Sequence, residues 1–201
     1  MKKGIRDHHG AHMEAILNSV TQTVEAQNDE PVLSCIQKVR AGIKDAGISI
    51  AELAVMKQTD VHQGGEKVAL ASFNPANDQI AMAPEIIDQM REVSDARDRV
   101  RRVVMHERRH RESHRAEGSR RVDQWLAHLF GKEAIHAVEE SMASLKTTEN
   151  FDAYNSERSE ARRMAAMLKM PYSELMRIKQ EGDWQRLQMA AINAGLISIA
   201  A

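Results

Sequence analysis

Apolar side chains recur at helical spacing near the start of the chain. Met13, Ile16, Leu17, Val20 and Val24 share one face over residues 12–27, which predicts an amphipathic helix. Asn28-Asp29-Glu30-Pro31 ends that pattern, and Pro31 suits the first turn of a second helix through Val32, Ile36, Val39 and Ile43. Gly42 weakens this helix and Gly47 is placed to close it. The period changes after Gln63-Gly64-Gly65-Glu66. Residues 67–73 and 79–83 alternate in part and are joined by Asn74-Pro75-Ala76-Asn77-Asp78, so a β-hairpin is the simplest reading.

Helical character returns at Pro84, and Ser94-Asp95 supplies a cap for a long helix over residues 96–115. Gly118-Ser119 interrupts the pattern before an apolar cluster of Trp125, Leu126, Leu129 and Phe130, which Gly131 breaks. Residues 132–145 read as another helix and Thr147-Thr148-Glu149-Asn150 as a loop. From Asn155 or Ser156 the chain is helical in composition as far as Met170, where Pro171 forces an end or a restart. The apolar tail, residues 189–201, carries Asn193 and reads as a packed terminal helix or strand. The expected class is α+β, mostly helical, with one small antiparallel sheet. Residues 1–63 are expected to form a helical scaffold and residues 64–201 the functional domain.

The totals add little direction. The chain has 201 residues, with 28 Lys plus Arg against 29 Asp plus Glu, so overall charge selects no partner. Its one cysteine, Cys35, excludes an internal disulfide framework and fits a reducing compartment. The polar start Met1-Lys2-Lys3-Gly4-Ile5-Arg6-Asp7-His8-His9 is followed by no apolar signal core, and no run approaches the ~18 apolar residues of a membrane span. A soluble, cytoplasmic protein is expected, with no membrane partner.

Chemistry concentrates in Val103-Val104-Met105-His106-Glu107-Arg108-Arg109-His110, an H-E-x-x-H pattern inside the long helix. Residues four apart share a helix face, so His106 and His110 can grip one Zn²⁺ while Glu107 acts as general base on the zinc-bound water. Three protein ligands and an open position are usual for a catalytic zinc. A metzincin would place glycine at position 113 and histidine at 116, where this chain has Ser113 and Ala116, so that class is excluded. His114 lies about 6 Å of helix rise beyond His110, too far along to complete a tetrahedron. A third ligand is therefore expected from a later helix. Glu140, which precedes Ala143 by three, is one candidate, and the segment from Tyr154 to Pro171 holds others.

That segment, with Glu160-Ala161, Ala165-Ala166, Leu168 and Met170-Pro171, resembles the later helix of ImmA/IrrE-type zinc metallopeptidases. Together with the H-E-x-x-H and the hairpin before it, the resemblance covers residues 68–171. It implies a zincin-like domain, a glutamate as third zinc ligand and cleavage of a protein substrate, relatives of this type being associated with the inactivation of DNA-binding repressors. Arg158 stands where that family usually has its ligand glutamate, three residues before the alanine. Glu160 is the first choice for third ligand, Glu157 the next and Glu140 the third, with His128 and His136 behind them. Tyr154, Tyr172, His114 and His136 are candidates to stabilise an oxyanion.

Ten arginines fall between Arg97 and Arg121, against Asp98, Glu107, Glu112 and Glu117. Such a stretch either draws an acidic partner or nucleic acid, or pairs with acids on neighbouring helices. No aromatic side chain lies among the arginines for base stacking as far as Arg121. Three functions are consistent with these residues. The first is a zinc-dependent metalloendopeptidase acting on a protein or peptide. The second is a catalytically silent zincin-fold regulator, or a nucleic-acid-associated binding protein using the basic stretch. The third is a metal-free helical interaction protein, in keeping with 12 methionines and few aromatics.

Overall fold

A computed structural model of the chain describes residues 12–56, 69–144 and 154–198. The expected loop at 147–150, the glycines at 64 and 65, the first residues of the expected hairpin and the last of the tail lie outside the described residues. The elements are α1 (Met13–Gln27), α2 (Glu30–Asp45), a short 3-10 turn (Ile50–Glu52), β1 (Ala54–Val55), β2 (Ala71–Asn74), β3 (Gln79–Met82), α3 (Ile86–Met90), α4 (Ala96–Arg115), α5 (Ser119–Phe130), α6 (Glu133–Ser144), α7 (Asn155–Met167), α8 (Tyr172–Glu181) and α9 (Trp184–Ala194). The class is α+β, predominantly helical. No helix among the described residues is long and apolar enough to cross a membrane.

The chain forms two compact units, Met1–Glu107 and Arg108–Ala201, and the division falls within α4. The reason lies in the packing of the first unit. The stripes of α1 and α2 (Met13, Leu17, Ile36, Val39, Ile43) share one core with Ile80 and Met82 of the sheet and with Val100 and Val104 of α4. Helices and hairpin are thus one body.

Local chemistry explains the boundaries in this unit. Asn28 ends α1 in the left-handed conformation, φ 53°. The Asp29 carboxylate then accepts from the Val32 N–H at 3.3 Å, and Pro31 occupies the first turn of α2. Gly42 has a purpose beyond local structure, since a Cβ there would lie 2.5 Å from the backbone oxygen of Arg97 and 2.9 Å from Cβ of Val100. The glycine lets α2 and α4 approach backbone to backbone.

The hairpin forms as the sequence predicts, with Ala71 opposite Met82 and Asn74 opposite Gln79. The sheet, however, is mixed and not antiparallel. Its order is β1-β3-β2, and β1 pairs parallel to β3 through Ala54–Ala81 and Val55–Met82. A two-residue strand has no period to read, and its pairing follows from the neighbouring core, where Leu53 is fully buried and its carbonyl accepts from the Met13 N–H at 2.9 Å. Pro84 is followed by only one short helix, α3, whose Ile86, Ile87 and Met90 all turn inward.

The second unit is entirely helical among its described residues. Its core is built by Val122 and Leu126 of α5, Val138 and Met142 of α6, Met164 of α7, Leu175 and Ile178 of α8, and Leu187 of α9. The apolar cluster around Trp125 is the inner stripe of α5. Gly118 and Gly182, both at positive φ, bring the α4–α5 and α8–α9 turns into direct backbone contact, where a side chain at either would collide with the other turn. At the centre lies Lys179, 1% exposed. Its ammonium donates to Asp123 of α5 and, at 2.9 Å, to Glu139 of α6, while its carbonyl accepts from Ser113 Oγ of α4 at 3.1 Å.

Two substitutions test this packing. Gly42→Ala should lower stability by roughly 1–2 kcal/mol in urea unfolding, because overpacking against rigid backbone outweighs the ~1 kcal/mol that alanine adds to an exposed helix. A rise in stability would show that the two helices do not need the glycine. Lys179→Met should cost roughly 1–3 kcal/mol, less than a fully buried pair because Asp123 and Glu139 keep some solvent. An unchanged unfolding midpoint would remove the ammonium from the account of this core.

Candidate metal centre

Helix α4 carries the H-E-x-x-H motif in its third and fourth turns without a break, so the spacing does what it predicts. His106 is buried, 8% exposed, two residues beyond the fully buried Val104 of the same helix. His110 follows four residues later with its side chain 15% exposed. Glu140 of α6 comes to His110, its Oε1 3.6 Å from His110 Nε2, and its side chain is 17% exposed. Arg109 fastens the same two helices through a hydrogen bond from its guanidinium to the Ala143 carbonyl at 3.3 Å. Burial pushes the Arg109 guanidinium down from its ordinary range, with Glu112 opposing the shift and Arg108 adding to it.

One ligand atom each from His106, His110 and Glu140 lies within 4.8 Å of the other two. Two imidazoles and one carboxylate form a donor set suited to Zn²⁺, with bonds of about 2.0–2.2 Å. The residues present fit a metal ion, and the group is one that could hold it.

Glu107, which adjoins His106, is not one of the three grouped donors. Its Oε2 accepts the Phe73 N–H of β2 at 2.8 Å. The register explains why that donor is available to it: Ala83 N–H donates to the Leu70 carbonyl, and bonded pairs alternate along an antiparallel ladder. Ser72 and Asn74 therefore face β3, while the Phe73 N–H points outward from the edge strand and meets the carboxylate.

None of the other histidine and glutamate candidates belongs to this three-residue group. Glu160, the first choice from sequence, forms a two-pronged pair with Arg163 at 2.8 and 2.5 Å, and that guanidinium holds its carboxyl below the usual range. Its side chain is 39% exposed. Glu157 has a buried Oε2 that accepts no hydrogen bond, and it is not among the three grouped residues. His114 is exposed, and His128 is exposed with its ring edge-on to Trp125 at 5.8 Å. His136 is 65% exposed, with Nδ1 3.9 Å from Glu140 Oε1. Tyr154 is half-buried, and Tyr172 lies under the Arg162 guanidinium at 5.4 Å.

The basic stretch is extensively paired. Arg97 binds Asp45 at 2.6 Å, Arg102 binds Asp95 at 2.9 Å, Arg108 binds Glu112 at 2.7 Å and Arg101 approaches Asp98 at 3.4 Å. Arg121 stacks over Trp184, 4.8 Å from the ring centre. The hydrogen bond from Arg97 holds the Asp45 carboxyl below its ordinary range, and Arg102 does the same for Asp95.

Comparison with protein-family models, with curated proteins and with solved structures finds no match. Geometry therefore carries the functional argument. It predicts that Glu140→Ala weakens zinc binding by at least ~100-fold, since an absent ligand should cost more than the 10–100-fold of an absent supporting group, whereas Glu160→Ala leaves it within about two-fold. Zinc titration against a competing chelator measures both. A larger loss from Glu160→Ala would return the third donor to α7.

Proposed function

We propose that this chain is a zinc-dependent peptidase whose ion is held by His106, His110 and Glu140 and whose general base is Glu107. The observation that carries this reading is the grouping of the three donors, with a glutamate adjoining the first histidine in the same helix. A bound Zn²⁺ would supply Lewis acidity toward the scissile carbonyl and an acidified water.

The remaining work falls to the chain's own groups. His106 and His110 are oriented by a single unbroken helix, so their separation does not depend on a loop. Glu107 takes a proton from the attacking water and returns it to the leaving amine, a role worth about 10²–10⁴ in rate. Its anchorage on the Phe73 N–H at 2.8 Å fixes the carboxylate's direction. That anchorage also sets the base beside an edge strand, the element on which an extended peptide can align. A protein or peptide substrate suits this arrangement better than a compact metabolite. The H-E-x-x-H resemblance to ImmA/IrrE-type enzymes is in keeping with this, and a DNA-binding protein is the substrate which that resemblance favours.

Glu107→Gln provides the test. The zinc-loaded wild type, incubated with a broad mixture of unstructured peptides, should generate new termini detectable by mass spectrometry. The variant should retain about one zinc per chain yet cleave at least ~100-fold more slowly. Equal cleavage by both proteins, or none by zinc-replete wild type, would sink the peptidase reading and leave a silent metal-binding protein.

A further inference from the structure

Helix α6 repeats the device of α4. His136 and Glu140 are four residues apart and share a face, as His106 and His110 do. Glu140 Oε1 lies between two imidazoles, 3.6 Å from His110 Nε2 and 3.9 Å from His136 Nδ1. Neither separation is a hydrogen bond, which for N–H···O falls at about 2.7–3.2 Å. Both approach the spacing of atoms that share an ion: metal bonds of about 2.0–2.2 Å place neighbouring donors of a tetrahedron roughly 3.3–3.6 Å apart. His136 is also 65% exposed, so its ring can turn without disturbing the core.

Resting on the metal reading above, we propose that His136 is a fourth protein donor, making the site His₃Glu when the ring turns inward. Four protein donors close a zinc site, whereas three leave a position for water or substrate. His136 is then a removable cap. With the ring turned in, the ion is held and shielded; with the ring in solvent, the fourth position opens. The only helix face required is the one that already presents Glu140.

Zinc K-edge X-ray absorption on the zinc-loaded full chain tests this without reference to turnover. Wild type should fit three imidazoles and one carboxylate oxygen, and His136→Ala should fit two imidazoles, with a light oxygen scatterer in place of the third. The same variant should bind zinc at least ~10-fold more weakly in chelator competition. Because the replaced side chain is exposed, folding should be unaffected, and circular dichroism checks that it is. Two imidazoles in wild type, unchanged in His136→Ala, would overturn the fourth-donor proposal while leaving the peptidase reading standing. Absence of zinc from the wild type would overturn both.

Discussion

The candidate centre depends on the unbroken helical register of α4. A ligand pair four residues apart keeps its geometry only while every intervening i to i+4 hydrogen bond holds, and α4 runs from Ala96 to Arg115 without a glycine or proline. Its first half is held by burial of Val100 and Val104 in the core of the first unit. Its second half is held by Ser113, whose hydroxyl donates to the Lys179 carbonyl, and by Arg109 on Ala143.

The third donor is placed by a different argument, the division of labour between adjacent acids. Glu139 and Glu140 are consecutive on α6 and so point about 100° apart. Glu139 turns toward the buried ammonium of Lys179, at 2.9 Å, and Glu140 toward His110. The ion pair thereby sets the rotation of α6 about its axis, and that rotation aims Glu140. A buried lysine is a costly way to add stability, but it is an effective way to fix which of two neighbouring carboxylates faces the histidines.

Much of this was legible in the sequence, and the failures have physical causes. The hairpin, the long helix and the pairing of His106 with His110 on one helix face follow from period and spacing, which are local properties. Which glutamate approaches those histidines does not, because any glutamate on an amphipathic helix reads alike until its neighbours in space are known. One local signal did separate the candidates: Glu160 has Arg163 three residues on, an i,i+3 pair that satisfies it at the surface, whereas Glu140 has His136 one turn before it and no arginine within a turn. Strand β1 escaped because two residues carry no alternation.

The Phe73–Glu107 bond links these levels. An outward N–H on an edge strand is a group that must find an acceptor in water or in another chain. Here the acceptor is Glu107, the carboxylate proposed as general base, bound at a distance typical of charge-assisted hydrogen bonds. Because the donor is backbone, the contact is set by the register of the hairpin and not by the identity of residue 73. Register in turn follows from which residues of β3 are buried, Ile80 and Met82; with those two side chains held in the core, a slip of one residue would turn β2 over and point the Phe73 N–H inward to β3. Core packing in the sheet thus decides whether Glu107 has its anchor, and a residue far in sequence from His106 and His110 controls the direction of that carboxylate.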